Sequence, residues 1–464
     1  MSSSGLQAGV RRRGKALKRR LEVLLVAWLS VAAVASAQEA AGGHRDYALS
    51  EAVELAMQQN PRLSASRHQS SANQDSAAST RGHLLPLVKL GTTYDYVKAN
   101  EGLNLGAFAG GSSSSKPIYL NAWAGDFNVT VAQPILGLLH ISQDFAGAAK
   151  AADASEADVR ANEDELRLEV ESGYLSLFEA RAEKDIAQAS HDQLTDQLRV
   201  AQSEFSVGTL TKADVLRYQV AAANADQQQI QAQVDEDNAK DQLLGLLGLA
   251  GKVDRDEIDF LDPTDELLKR AVPADSAEAQ QHFAEGHRPE LFSAQLQTEA
   301  AWHRKQARYF GLWPEFNVSY SYYRLLNTPE GLPRDINLLG LSASWNVWDW
   351  GVNYYEARSA GEQLAVAQAN RESVRQQIDV EVHTRFSQER AAANAVRVAT
   401  DAISQAEEAF RVTSATVRAG AATTTDLLDA QAALTQARQN FVRSKYEELR
   451  ARSALLKALG RQQG

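Results

Sequence analysis

The chain repeats itself at half length, and that repeat limits the folds open to it more than any other feature. Shifted by 212 positions, Gln133 to Gly248 lies on Trp345 to Gly460 without a gap. Gly208 then meets Gly420, Asp214 meets Asp426, Val170 meets Val382, and Tyr174 meets Phe386. Further upstream the shift becomes 228, pairing Pro61-Arg62-Leu63 with Pro289-Glu290-Leu291 and Pro86 with Pro314. The difference of 16 falls where the first copy carries "EGLNLGAFAGGSSSSKP" (101 to 117), a Gly/Ser-rich loop. A period near 200 residues is too long for a solenoid or propeller blade and reads as duplication of a half-protein. The spacing predicts a first repeat over 38–250, an acidic, proline-punctuated linker over 251–287, and a second repeat over 288–464.

Residues 1–37 stand apart from this pattern. Seven basic residues between Arg11 and Arg20 precede an apolar run over 21 to 34, and "ASA" at 35 to 37 supplies small residues for cleavage. The run is too short to span a bilayer, so it is read as a secretory signal peptide. Its removal, seven basic residues and one acidic, takes the net charge from −11 to −17. A chain that acidic lacks the basic footprint of nucleic-acid binding. It has no cysteine, so an exported form has neither disulfides nor a lipidated N-terminal cysteine. Nothing after residue 37 approaches 18 consecutive apolar residues, so any membrane crossing must be made by strands.

Each copy supplies two kinds of element. Strands are predicted over about 86–98 and 119–132, and again over about 314–325 and 336–348. Val88, Leu90, Tyr94 and Tyr96 alternate with Lys89, Gly91, Thr93 and Asp95, and the other three segments alternate in the same way. Strands of roughly ten residues with one apolar, aromatic face are the pattern of a transmembrane β-barrel, although two soluble amphipathic hairpins would read alike. Trp123, and Trp345, Trp348 and Trp350 of "WNVWDW", are candidates for membrane-interface aromatics.

The second kind is long helix, over about 142–207 and 353–419, proline-free and rich in Ala, Gln, Glu and Arg. At 1.5 Å per residue, 66 residues make a rod of roughly 100 Å with a narrow, alanine-rich seam. Return helices are predicted over about 211–249 and 423–460, and shorter runs over about 61–84 and 289–312. Stacked end to end, a short helix and a return helix come close to one long rod. Four strands are too few for a barrel, since the smallest transmembrane barrels use about eight, and open sheet edges cannot face lipid. Further copies of the chain must complete it.

The turns between long and return helices carry the polar motifs, "GTLTKADVLRYQ" at 208–219 and "GAATTTDLLDAQ" at 420–431. Glycine can end one helix and a threonine can cap the next, with Asp214 or Asp426 at the positive end of its dipole. Asp429 has no carboxylate counterpart in the first copy, and capping explains it poorly. The nine histidines show no metal-ligand spacing, and there is no P-loop, nucleophile elbow or dinucleotide fingerprint. No enzyme, cofactor or metal site is expected.

The duplicated unit, "LSEAVELAMQQNPRL" (49–63), "FSVGTLTKADVL" and "VRAGAATTTDLLDA" together resemble the TolC-like outer membrane efflux proteins over nearly the whole chain after residue 37. The resemblance implies an α+β membrane protein. In it, a homotrimer closes a 12-stranded transmembrane β-barrel, four strands per protomer, continued by a long α-helical barrel across the periplasm. The cell outer membrane is the implied location. The implied role is the passive exit duct of a tripartite efflux or type I secretion system. The implied partners are a periplasmic adaptor (membrane fusion) protein and an inner-membrane transporter of the RND, MFS or ABC type. The helix-turn tips, Val207, Gly208, Thr209 and Asp214 with Ala419, Gly420 and Ala421, would dock the adaptor. Asp426 and Asp429 match the family's D-x-x-D ring at the periplasmic gate. The tyrosine and arginine that lock that gate in relatives are here Val417 and Ala422, so any lock is absent or rebuilt. A coiled-coil adaptor or adhesin is the alternative, but a duplicated chain with four aromatic strands fits neither.

Overall fold

A computed structural model describes residues 45–98, 121–270, 277–326 and 333–461. The expected signal peptide and the Gly/Ser-rich loop lie outside the described residues.

In chain order the elements are β1 (Arg45–Tyr47), α1 (Leu49–Gln59), α2 (Pro61–Gly82), β2 (Leu87–Lys98), β3 (Asn121–Pro134), α3 (Gly137–Ser206) and α4 (Lys212–Leu246). The linker forms β4 (Ile258–Phe260) and α5 (Thr264–Lys269). Then follow α6 (Ala277–His287), α7 (Pro289–Phe310), β5 (Glu315–Leu326), β6 (Asp335–Ser344), α8 (Val352–Arg418) and α9 (Thr424–Ala458). A shift of 228 carries α1, α2 and β2 onto α6, α7 and β5 end for end, and a shift of 212 carries α4 onto α9. The last strand is shorter than the expected 336–348, because the chain leaves the ladder at Ser344. There Trp345 turns to donate its indole N–H to the Leu312 carbonyl at 3.2 Å.

The four long strands make one antiparallel sheet in the order β2-β3-β5-β6. Val88, Val131, Tyr320 and Leu339 fall in one row across it, and Lys89, Thr130, Ser321 and Leu338 in the next. The apolar face stands open, with Leu90 and Leu341 each 72% exposed. On the other face the hydroxyls of Thr130 and Ser321 meet at 3.0 Å.

α3 has 70 residues and α8 has 67, so each is a rod of roughly 100 Å. Near the sheet the helices lie side by side as α2, α3, α7, α8, and away from it as α4, α3, α9, α8. The seams are narrow and filled largely by alanine, including Ala152, Ala154 and Ala157 on α3 and Ala357, Ala360, Ala392 and Ala399 on α8. Small side chains there allow close axes, at the cost of little apolar area buried per residue.

Midway along the rods the short and return helices meet end to end. α4 stops at Gly248, whose φ is +72, and a Cβ there would lie 2.6 Å from the Gln59 carbonyl oxygen. Gly460, φ +68, stands in the same relation to His287. Glycine serves at both points because the backbone is left-handed and the next helix begins against it. Around the first joint lies the larger apolar core, with Leu49, Val170, Tyr174, Leu177, Leu243, Leu247 and Phe260 among its buried members. The Tyr174 hydroxyl sits 2.7 Å from the Tyr47 carbonyl and 2.6 Å from that of Leu261. It thereby fastens β1 and the linker strand β4, which pair in parallel, onto α3.

Candidate functional site

The tips are built alike. At the first, α3 ends in Val207 and left-handed Gly208 (φ +81), and α4 begins behind the N-cap Thr211. The Thr211 hydroxyl donates to Asp214 at 2.6 Å and accepts from the Asp214 N–H at 3.3 Å. At the second, Gly420 (φ +73) follows α8, and the Thr423 hydroxyl donates to Asp426 at 2.7 Å. The Thr423 and Asp426 amides close the same box at 2.8 and 3.3 Å. Two orphan amides at each helix start are thus satisfied by one Thr–Asp pair.

The electrostatics differ. The Thr211 hydroxyl holds the Asp214 carboxyl below its ordinary range, helped by the Thr211 amide, Arg217, and Thr424 on the other tip. Arg217 stands 3.3 Å from Asp214. Asp426 is lowered by the Thr423 hydroxyl and amide, and no cation pairs with it among the described residues. Asp429 lies one turn further along α9, exposed, outside the capping box. Val207, Thr209, Ala419 and Ala421 are exposed around the two turns. Val417 and Ala422 are partly covered and bring no polar group to the tip.

The aromatic candidates lie at the two ends of the sheet. Trp123, near the loop end, stacks on Tyr94 with ring centres 5.3 Å apart. Trp345, Trp348 and Trp350 lie at the helix end, where Trp348 and Trp350 meet edge to face at 5.7 Å. Trp350 is 85% exposed and has φ 58, the one positive φ outside glycine among the described residues. That conformation is strained for a bulky side chain. Asp349 holds the turn by accepting from the Gly351 N–H at 2.9 Å and the Asn353 N–H at 3.0 Å.

Sequence reasoning did not find a charged cluster at the second joint. Arg288, its side chain 4% exposed, donates to Glu290 at 2.8 Å, to Glu381 at 2.9 Å and to the Ala458 carbonyl at 3.0 Å. Lys457 reaches Glu165 of α3 at 2.9 Å. Burial pushes the Glu290 carboxyl up, but the hydrogen bonds and charge of Arg288 outweigh it, so Glu290 titrates below its ordinary value. Asp164, facing the same cluster, is pushed up by burial and by Glu290. The signal was present in the repeat register, where Arg288 stands in place of Asn60 and Glu290 in place of Arg62.

The profile of the family "Outer membrane efflux protein" matches residues 52–249 and 282–461. The outer membrane efflux protein BepC of Brucella suis is 22% identical over 310 residues, covering 66% of each chain. The alkaline protease secretion protein AprF of Pseudomonas aeruginosa is 22% identical over 327 residues, 70% of this chain and 67% of AprF. The matched stretch thus spans about two thirds of each relative. Among solved structures, the outer-membrane channel OprN superposes with a TM-score of 0.77 at 18% identity, covering 89% of both chains. CusC superposes with a TM-score of 0.78 at 15% identity, covering 89% of this chain and 92% of CusC. The outer membrane protein VceC of Vibrio cholerae gives 0.75 at 17% identity, covering 89% and 96%. At such identities these likenesses speak for the fold.

Proposed function

The chain belongs to the outer membrane efflux protein family, and from that premise we propose that it is the exit duct of a tripartite efflux or type I secretion system, working as a homotrimer. The observation that carries this reading is the sheet. It has four strands, two unpaired edges (β2 and β6) and an apolar face in the open. Three copies give 12 strands, enough to close a transmembrane barrel and abolish every edge. From Trp123 to Pro134, the end of β3, is 11 residues, about 37 Å along the strand and about 29 Å upright at the usual tilt, close to the apolar band of such barrels.

The helical layer supports the same closure. Away from the sheet its two flanks are α4 and α8, and each shows an exposed apolar stripe. Leu216, Val220, Ile230 and Val234 stand exposed on α4, and Val366, Val380 and Val398 on α8. Unlike flanks that cover one another make a head-to-tail contact, which closes into a ring. The two copies are fused half-proteins, each bringing one strand pair, one long rod and one stacked rod.

In the trimer the second tips converge at the periplasmic mouth and set six carboxylates, from Asp426 and Asp429, around one constriction. That ring gates the duct and favours cations. The exposed turns at Val207 to Thr209 and Ala419 to Ala421 are where a periplasmic adaptor docks. The inner-membrane transporter selects the cargo; the name of BepC speaks of efflux, and that of AprF of secretion of a protease. The test is single-channel recording on the full chain with Asp426→Asn/Asp429→Asn. Loss of cation preference and of block by multivalent cations is expected. Unchanged selectivity and block would remove the gate from the proposal.

A further inference from the structure

At repeat-equivalent positions the two joints hold the end of a return helix in different ways. Asn60 caps α2 by accepting from the Arg62 and Leu63 amides, and its amide nitrogen donates to the Leu246 carbonyl at 2.9 Å. The ion pair beside it, Arg62 with Glu169 at 3.0 Å, is open to water, Arg62 being 62% exposed. At the second joint the same carbonyl position, Ala458, is held by buried Arg288. The other groups of that guanidinium go to Glu290 on α7 and Glu381 on α8. Lys457 on α9 adds Glu165 on α3, and also stands 3.7 Å from Glu381 and 3.9 Å from Glu290. Four helices therefore meet at one charged node, with Asp164 and Arg167 of α3 facing it as well.

We propose that Arg288 is a positioning residue that fixes the axial register of the α8–α9 pair at the second joint, and through it the position of the second tip. Hydrocarbon contact is non-directional and tolerates sliding, whereas a guanidinium fork bonded on three sides sets both distance and angle. α9 has 35 residues, so it is a rod of about 52 Å. An axial slip at its upper end reaches the tip undiminished. The half whose tip carries two carboxylates is thus the half whose rod is pinned by charge. The consequence for conduction rests on the gate reading above, while the pinning itself does not.

The experiment uses the assembled full chain. Hydrogen–deuterium exchange is followed over residues 424–440, and resting conductance is recorded in a planar bilayer. The variants are Arg288→Met, Glu381→Gln and, as a control at the first joint, Asn60→Ala. Arg288→Met should raise exchange over 424–440 several-fold and increase resting conductance, with Glu381→Gln showing a smaller change of the same kind. Asn60→Ala should leave both near wild type. Should Arg288→Met fail to assemble, Glu381→Gln decides, since it removes one arm and keeps the Glu290 fork. Wild-type exchange over 424–440 in the charge variants overturns the pinning. Faster exchange with unchanged conductance supports the pinning and counts against the gate. Unchanged exchange beside an altered Asp426→Asn/Asp429→Asn channel overturns the pinning and leaves the gate standing.

Discussion

At the first joint α4 ends among Leu243, Leu244 and Leu247, in a core that also buries α1, the linker strand and Tyr446 and Leu449 of α9. At the second joint α9 ends among Ala284, Ile378, Val382, Leu455 and Leu459, a much smaller cluster, and the Arg288 node completes it. One geometric task, stacking a short helix on a return helix beside a long rod, is met chiefly by hydrocarbon in one half and by a smaller apolar cluster with a charged node in the other. The difference follows from what each half receives. The first joint takes in β1, β4 and the aromatic rings of Tyr174, Phe178 and Phe260, whereas among the described residues the second is covered by α6. Apolar burial is indifferent to pH and is not screened by salt, whereas a charged node responds to both. The two halves should therefore fail under different conditions.

The largest effect that could break this contrast comes from paired truncations. Leu247 and Leu459 are repeat equivalents, and both are fully buried. Leu247→Ala leaves a cavity in the larger core and should cost about 3 kcal/mol, read as roughly 100-fold faster exchange over 243–261. Leu459→Ala should fall at the lower end of the usual range, about 2 kcal/mol, because fewer large side chains surround the gap. Equal losses would mean that the second joint is as hydrocarbon-dependent as the first.

A smaller effect should appear on acidification at the end of α9 and not at the end of α4, although the linker strand β4 at the first joint carries an acid-sensitive pair of its own, Asp259 with Arg181. The Glu290 carboxyl titrates below its ordinary value in the folded chain, so its contribution is fully present above about pH 4.3. That contribution is lost as pH falls through the lower, folded value. Asp164 runs the other way. Its raised pKa means it takes up a proton first, relieving repulsion with Glu290 and partly offsetting the loss. Protection over 455–461, taken relative to the intrinsic exchange rate at each pH, should accordingly stay flat from pH 8 to about 5 and fall several-fold below pH 4, with 243–249 unmoved. A parallel fall at the ends of both return helices would remove the distinction.

Much of this architecture was legible beforehand, because period-2 and near-3.6 patterns are local and the copies check each other. The rod α8, the reversals at Gly208 and Gly420, and three of the four long strands lie within about two residues of expectation, whereas α3 begins at Gly137, ahead of the expected 142. The last strand was overextended because Trp345 and Val347 continue the alternation, while the backbone leaves the ladder once the Trp345 indole finds the Leu312 carbonyl. That a threonine caps each return helix was readable from the motif, and the structure identifies it as Thr211 and Thr423. The second joint did not. Arg288, Glu381 and Lys457 are far apart in sequence, each reads singly as a solvated helix charge, and only the packing of four helices makes them one node. The pairing of β1 with β4 was equally hidden, since three-residue strands carry no period. Asp429 is exposed one turn beyond Asp426 as its spacing suggested, but a ring of carboxylates is a property of neighbouring copies and has no local sequence pattern.

The smallest effect lies at the tips, where the two halves should nearly agree. Thr211→Ala and Thr423→Ala each remove an N-cap hydroxyl from boxes of the same geometry, so each should speed exchange in the first turn of its return helix roughly five-fold. Their difference carries the information. With Thr211 gone, Asp214 still faces Arg217 at 3.3 Å. With Thr423 gone, Asp426 keeps only the amide and the dipole of its own helix. Thr423→Ala should then exchange slightly faster than Thr211→Ala, and Arg217→Ala combined with Thr211→Ala should erase the gap. If the gap persists in that double variant, the unequal charge at the tips comes from something other than Arg217.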